Sequence, residues 1–291
     1  MAQTAEVARN GSGVVHFENR CRARGGEWRW LRWSMRSDGE AWFAVAFDIT
    51  ERKETEQRLR GLLTDDHLLA YTQPILDQRR GTVAQEELLV RLRDSANPEE
   101  VIGPAEFLPD VERCGLIGVV DRWMVAQGVE LARRGRRADV NLSARSIEDP
   151  ELVAELETTI SGSGVRAENL IFEITETAAI EHLDAARDFA DRLTRLGCRF
   201  ALDDFGTGFG SLTYLRRLPV GYLKIDTSFV SALATSHEDQ AMVRGIVAIA
   251  RELGVLTVAE GIEDEATMSL LTEYEVDYAQ GYLIGRPVPL A

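Results

Sequence analysis

The sequence predicts an α/β fold: a modified (β/α)8 barrel of the TIM type with one antiparallel strand, preceded by a small antiparallel β segment and a linker helix. Three observations predict it. From about residue 68, short apolar runs alternate with longer amphipathic stretches. About eight such runs fall within roughly 220 residues, which suits a (β/α)8 domain. The first two are joined only by a short polar segment around Arg79-Arg80-Gly81, too short for a crossover helix, so a hairpin is expected there. An open doubly wound sheet is the alternative arrangement of the same elements.

The elements follow in chain order. HFENRCRA, EWRWLRWSM and EAWFAVAFD, within residues 1–50, are rich in aromatic and β-branched residues. Gly25-Gly26 and Ser37-Asp38-Gly39 supply turns between them, which predicts a small antiparallel sheet. Asp48 and Glu51 have the spacing of a capping box, and ERKETEQRLRGLL, within 51–64, follows as a charged linker helix able to pair with a copy of itself. The barrel is expected over 65–291. Its strand runs are LAYTQPIL, EELLVRL, ADVNLS, NLIFEIT, CRFALDD, GYLKID, LTVAEG and VDYAQGY. Helical patterns such as IGVVDRWMVAQGVELARRG, AARDFADRLTRLG and AMVRGIVAIARELG lie between them and end in Gly, as helix C-termini often do.

Composition narrows the function. The hydrophobic fraction is 45% and the charged fraction 28%, ordinary for a soluble globular chain. A net charge of −15 argues against a nucleic-acid polymer as partner, since such binders cluster Lys and Arg against phosphates. A small phosphate ligand remains open, because bound metal ions invert the local field. Cys21, Cys114 and Cys198 form no CxxC pair, which fits a reducing cytoplasm and argues against a disulfide framework or thiolate zinc. His16, His67, His182 and His237 are as scattered, and no HExxH occurs. No apolar run is long enough to insert in a membrane.

The polar residues on the strand runs carry the chemistry. Glu87 lies within one run; Asn141, Glu173, Asp203 with Asp204, Lys224, Glu260 and Gln280 lie near the C-terminal ends of others. In a parallel barrel those ends converge on one mouth, where active sites are built. Burying unpaired carboxylates is costly, so several at one height need a reason. One reason is an ion-pair network with Arg and Lys across the barrel top. The other is metal: oxygen ligands without His or Cys point to Mg²⁺ or Mn²⁺, and the Asp203-Asp204 pair would let one carboxylate bridge two ions. Paired ions are the usual arrangement for phosphodiester hydrolysis. Lys224 would add a cation beside them, and Arg91 could fork onto a phosphate. Asp204-Phe205-Gly206 spells a kinase motif, but no HRD, VAIK or P-loop sequence accompanies it. GTGFGS reads instead as a flexible loop after the Asp pair.

Taken together these pieces resemble the EAL family of cyclic di-GMP phosphodiesterases, over about residues 65–291. The matching segments are Tyr71-Thr72-Gln73-Pro74-Ile75, Glu87-Leu88-Leu89-Val90-Arg91, Asn141-Leu142-Ser143, Glu173-Ile174-Thr175-Glu176, Asp203-Asp204-Phe205-Gly206-Thr207-Gly208, Lys224-Ile225-Asp226, Ala259-Glu260-Gly261-Ile262-Glu263 and Gln280-Gly281-Tyr282. The resemblance implies hydrolysis of cyclic di-GMP to linear 5′-pGpG with two Mg²⁺ or Mn²⁺ ions. Glu87, Asn141, Glu173 and Asp203 would hold the first ion, and Asp203 would bridge to a second held also by Asp204. Lys224 would orient water or ligate the second ion, and Glu260 would be the general base or a water-mediated ligand. Gln73, Leu89, Arg91 and Gln280 would meet the substrate, Arg91 at a phosphate, with Gln280 also supporting the site by hydrogen bonds. Glu176 would anchor the loop 205–211, with Glu263 supporting from behind. A homodimer is the family habit.

Two departures stand out. The signature Glu-Ala-Leu is here Glu87-Leu88-Leu89, and on a strand Leu88 points away from Glu87, so it is expected to pack outside the mouth. Phe209-Gly210-Ser211 stands where the family more often has Tyr-Ser-Ser. The N-terminal segment, ending Asp48-Ile49-Thr50-Glu51-Arg52-Lys53, resembles the C-terminal half of a PAS domain. Either the sequence begins partway through that domain or the half-domain serves as a dimer surface. Trp28, Trp30 and Trp33 read as sheet packing and not as a cofactor box.

Three functions compete. A metal-dependent phosphodiesterase keeps every ligand position. A module that binds cyclic di-GMP without cleaving it would be marked by a lost ligand or base, and none is lost here. A purely structural partner-binding barrel would leave many buried acids without compensation.

Overall fold

The computed structural model describes residues 14–37, 41–64, 66–94, 97, 100–207 and 212–290. The centre of the Ser37-Asp38-Gly39 turn and the Phe209-Gly210-Ser211 segment lie outside them. The chain divides into two compact units, one comprising residues through Thr64 with Pro109–Leu116, the other Asp65–Leu108 with Ile117 onward.

In the first unit, β1 (Val14–Arg22), β2 (Trp28–Ser37) and β3 (Trp42–Asp48) form an antiparallel meander. Trp30 and Trp33 are half-buried on the sheet as the sequence suggests, whereas Trp28 is 56% exposed. Trp33 stacks on Phe17 across the strands with centroids 6.1 Å apart, and the Arg20 guanidinium lies 5.4 Å from Trp28 and 6.0 Å from Trp30. α1 (Thr50–Leu62) follows at once. The expected capping box does not form. Ile49 is the N-cap and makes no side-chain cap, while Asp48 accepts from Thr50 N–H at 3.0 Å and from its hydroxyl at 2.6 Å. A short Asp side chain closes a local turn on its own backbone more readily than it reaches into the helix.

In the second unit, β4 (Leu68–Asp77) and β5 (Thr82–Arg93) form the expected hairpin, paired from Leu68↔Leu92 to Asp77↔Thr82. Gly81 takes φ +65° in its turn, a conformation that suits glycine. β5 then pairs in parallel with β7 (Ala138–Asn141), and β8 (Leu170–Thr175), β9 (Arg199–Phe205), β10 (Tyr222–Ile225), β11 (Leu256–Ala259) and β12 (Tyr278–Gln280) each run parallel to the strand before. β12 meets β4 antiparallel and closes an eight-stranded barrel, so β4 alone runs against both of its barrel neighbours. The short β6 (Val101–Ile102) and β13 (Val288–Pro289) extend the sheet beyond the barrel. The closed sheet decides against the open alternative.

Helices cover the strands. After α2 (Pro104–Arg113), α3 (Ile117–Arg133) buries Val125, Val129 and Leu131. A methyl group added at Gly128 on that helix would lie 2.7 Å from Val140 Cγ2 and 3.5 Å from Leu88 Cδ1. Leu88, 1% exposed, thus faces the helix layer, and the bare backbone at Gly128 makes room for it.

Candidate active site

The mouth of the barrel is organised around one buried ammonium. Lys224 on β10 is 1% exposed. Its Nζ lies 2.8 Å from Glu173 Oε2 on β8, 2.8 Å from Glu260 Oε1 just beyond β11, 3.3 Å from Asp203 Oδ1 on β9 and 3.7 Å from Glu87 Oε2 on β5. Four carboxylates from four strands converge because the parallel register places them at one end of the barrel: Asn141 sits opposite Glu173, and Thr175 opposite Asp203.

Neutral amides hold the remaining wall. Asn141 Nδ2 donates to Glu87 Oε1 at 2.7 Å, and Gln280 Nε2 donates to Glu87 Oε2 at 2.6 Å and reaches Gln73 Oε1 at 3.3 Å. Gln73 Nε2 donates to the Gly285 carbonyl at 3.0 Å. Glu87 is thereby fixed from both sides by groups that cannot ionise.

Asp203 and Asp204 are neighbours on one strand, where side chains ordinarily point to opposite faces. The β9–β10 register shifts at this point, so that the pair stands opposite the single residue Lys224, between Leu202↔Leu223 and Phe205↔Ile225. An extra residue on one strand is a β-bulge. Asp204 also takes φ +53°, a left-handed conformation that Asp tolerates better than most side chains. With both turned the same way, Asp203, Asp204 and Glu260 each offer an oxygen within 4.8 Å of the others.

Electrostatics separate these groups. Burial works against the Lys224 ammonium, but Asp203, Glu173, Glu260 and Glu87 overcome it and hold its pKa well above the ordinary range. Burial, reinforced by Asp203 and Glu87, pushes Glu260 up to about 8 despite the pull of Lys224. Burial also raises Glu173, and Asp204 is raised to about 6 by burial and by the charges of Asp203 and Asp226.

Positive charge is short here. Glu173 Oε1, Asp203 Oδ1 and Gln280 Oε1 are buried acceptors without a hydrogen bond; Lys224 is near Asp203 but not aligned with that oxygen. Buried acceptors without donors are rare, and a cation among them is the ordinary remedy. The donor set is oxygen alone, which suits Mg²⁺ or Mn²⁺ and fits a metal at this mouth.

A cleft of about 290 Å³ opens onto these groups, lined by Gln73, Glu87, Glu260, Glu263, Gln280 and Tyr282 among others. Glu176 stands behind it: its carboxylate accepts from Gly206 N–H at 2.8 Å and from the Tyr214 hydroxyl at 2.6 Å, joining the chain on either side of residues 207–213. Leu89 and Arg91 are half-buried and lie farther along β5 than Glu87, outside the cleft lining. Arg91 donates to the Val90 carbonyl at 2.8 Å, its guanidinium 5.4 Å from the centre of Tyr71.

Sequence reasoning missed four supporting residues. Asp121, buried on α3, accepts from Ser143 N–H at 3.1 Å and its hydroxyl at 2.8 Å, fixing the turn after Asn141. Asp139 lies one layer below the mouth, accepting from Gln85 Nε2 at 2.9 Å; burial raises it to about 8. A carboxylate inside the ADVNLS run was the available signal for it. Tyr214 had none, since it sits in loop-like sequence; Tyr282 closed the VDYAQGY run and the Gln280-Gly281-Tyr282 match but was given no role.

Comparisons agree with this geometry. The cyclic di-GMP phosphodiesterase NbdA of Pseudomonas aeruginosa is 36% identical over 249 residues, 83% of this chain and 32% of that protein. This chain therefore spans about a third of that relative's length. Among solved structures, the PaMucR phosphodiesterase in complex with c-di-GMP superposes with a TM-score of 0.76 at 34% identity, covering 81% of this chain and 98% of that one. The FimX EAL domain of Pseudomonas aeruginosa bound to c-di-GMP gives 0.75 at 28%, covering 80% and 96%. The EAL domain family itself matches residues 56–287, four-fifths of the sequence. The chain belongs to the EAL domain family.

Proposed function

We propose that this chain is a metal-dependent phosphodiesterase that hydrolyses cyclic di-GMP to linear 5′-pGpG in bacterial second-messenger signalling. The observation that carries the reading is the convergence of Glu87, Glu173, Asp203 and Glu260 on Lys224, with buried acceptor oxygens left over for metal. Similarity to a cyclic di-GMP phosphodiesterase and to two EAL structures holding c-di-GMP supports the substrate.

Glu87, Asn141, Glu173 and Asp203 would hold one Mg²⁺ or Mn²⁺, and Asp203 with Asp204 a second. Such ions supply charge neutralisation and a more acidic water at neutral pH. The protein's own groups do the rest. Glu260 accepts the proton of the attacking water. Lys224 holds the Glu260 carboxylate in place and adds positive charge behind it. As the water oxygen bonds to phosphorus the P–O3′ bond breaks, and the departing 3′-oxygen takes up a proton, so that the one Glu260 accepted is given back in net, leaving a 5′-phosphate and a free 3′-hydroxyl. Gln73, Leu89, Arg91 and Gln280 orient the nucleotide, Glu176 steadies the chain around 205–211, and Glu263 supports the Glu260 turn.

The reading extends to organisation. Residues 1–50 would be a PAS-like segment, 51–64 a linker helix and 65–291 the catalytic domain, with homodimerisation through the linker and a cytoplasmic location. Among the described residues no helix is long and apolar enough to cross a membrane.

The test is incubation with cyclic di-GMP and Mg²⁺ or Mn²⁺, with and without EDTA, followed by separation of nucleotides. Metal-dependent 5′-pGpG is expected. Bound but uncleaved nucleotide would make the chain a receptor.

A further inference from the structure

The three-stranded sheet of the first unit has two edges of opposite character. Its order is β1-β2-β3, so β1 and β3 are the edges. β1 carries Glu18, Arg20 and Arg22, charges of the kind that keep an edge from pairing. β3 carries no charge from Trp42 to Phe47, and all 7 of its residues are exposed. Phe43, Val45 and Phe47 are 62%, 55% and 59% exposed. Among the described residues no strand pairs with the outer side of β3. Phe43, Val45 and Phe47 share one face, because side chains alternate along a strand. Their partners on β2 are Arg36, Ser34 and Arg32, so the sheet itself offers this stripe no apolar neighbour.

The strand is complementary to itself. Phe43-Ala44-Val45-Ala46-Phe47 reads the same in both directions. A two-fold interface needs a self-complementary surface, and an antiparallel pair of these strands centred on Val45 provides one. Val45 then faces Val45, Phe43 faces Phe47 and Ala44 faces Ala46. Trp42 falls opposite Asp48, so no like charges meet.

The main chain has the matching pattern. Ile49 N–H donates to the Trp30 carbonyl on β2 at 2.8 Å. Amide direction alternates along an antiparallel strand. Phe43, Val45 and Phe47 therefore turn their amides towards β2 as well, while Trp42, Ala44, Ala46 and Asp48 turn theirs outward. In the pairing centred on Val45 the outward groups meet each other, Ala44 with Ala46 and Trp42 with Asp48. A shift of one residue would set outward groups against inward ones. The apolar stripe falls at the non-hydrogen-bonded positions, where opposed side chains lie closer.

We propose that β3 is an interface between two copies of this chain, paired antiparallel about Val45 so that two three-stranded sheets become one. The contact is separate from pairing through the linker helix and does not depend on the phosphodiesterase reading.

Cysteine cross-linking and sedimentation of the full chain test this. Residues opposed at a non-hydrogen-bonded position have Cα atoms about 4.5 Å apart, within disulfide range. Val45→Cys should therefore form a covalent dimer under mild copper–phenanthroline oxidation, read by non-reducing electrophoresis. Position 43 is as exposed but would lie roughly 13 Å from its counterpart along the strands. Phe43→Cys should stay at the background of the wild type, which has Cys21, Cys114 and Cys198. Val45→Lys sets two ammonium groups face to face and should weaken the dimer about tenfold or more, with an unchanged circular dichroism spectrum. No covalent dimer from Val45→Cys above the Phe43→Cys background overturns the interface, as does a Val45→Lys dimer as tight as the wild type. A wild type that stays monomeric across the concentration range overturns it too, and leaves this edge to a segment of its own chain.

Discussion

Lys224 Nζ and Glu260 Oε1 lie 2.8 Å apart at the mouth of the barrel, the ammonium 1% exposed and the carboxylate 16%. The acid that reaches the cleft is therefore held by a cation that does not. Lys224 also touches Glu173 and faces Asp203 and Glu87, so one side chain balances acids from four strands.

Lys224→Met removes that balance without much change in volume. Taking one partner from a buried ion pair costs about 3–5 kcal/mol. The melting temperature in EDTA should fall accordingly, and added Mg²⁺ should recover part of the loss. Turnover should drop by about a hundredfold or more. An unaltered melting temperature would place the compensation elsewhere.

Stability without metal should depend on pH in a defined direction. Glu260 at about 8 and Asp204 at about 6 both lie above their unfolded values because burial and neighbouring acids disfavour their charged forms. At these two groups the folded state binds more protons than the unfolded one, so the stability they contribute is full below about pH 4 and is lost as pH rises towards about 8. Thermal melts in EDTA across pH 5–9 should show the decline. Saturating Mg²⁺, which needs the carboxylates ionised, should flatten it. A melting temperature that rises with pH in EDTA would contradict the assignment.

Glu176 receives Gly206 N–H and the Tyr214 hydroxyl on one carboxylate. Glu176→Ala should release both ends of the intervening segment and lower kcat by about tenfold or more, since small misplacements near the chemistry are costly. Tyr214→Phe removes one of the two bonds and should give a smaller loss. Equal and full activity in both would show that neither contact positions the site.

Leu88 and Gly128 test the altered signature. Leu88→Ala restores the family's Glu-Ala-Leu and should leave kcat within about twofold, while costing about 2–4 kcal/mol through the cavity it opens beside the helix. Gly128→Ala should cost about 1–3 kcal/mol by crowding Val140. Denaturant melts read both. A large kcat change in Leu88→Ala would give this position a catalytic part.

Much of this site was legible because its chemistry is written on strand ends. Periodicity located the runs, the short Arg79-Arg80-Gly81 connection announced the hairpin, and polar residues inside apolar runs marked the mouth. What periodicity cannot show is departure from itself. The bulge that turns Asp203 and Asp204 to one cluster depends on partner register across β9 and β10, which no local pattern encodes. Asp121 and Tyr214 act through contacts 22 and 38 residues away in sequence, so their positions carry no local mark. The capping box failed for the opposite reason: the spacing was present, but Asp48 is satisfied by the residue two places on.

The most direct test sets the wild type beside Glu87→Ala. Glu87 is fixed by Asn141 and Gln280 and faces Lys224, so it belongs to the mouth and to nothing else. Both proteins are incubated with cyclic di-GMP and Mn²⁺, and the nucleotides are separated by chromatography. The wild type should release 5′-pGpG, EDTA should stop it, and Glu87→Ala should release none. Equal product from Glu87→Ala would show that the carboxylate cluster around Lys224 is not where the phosphodiester is cut.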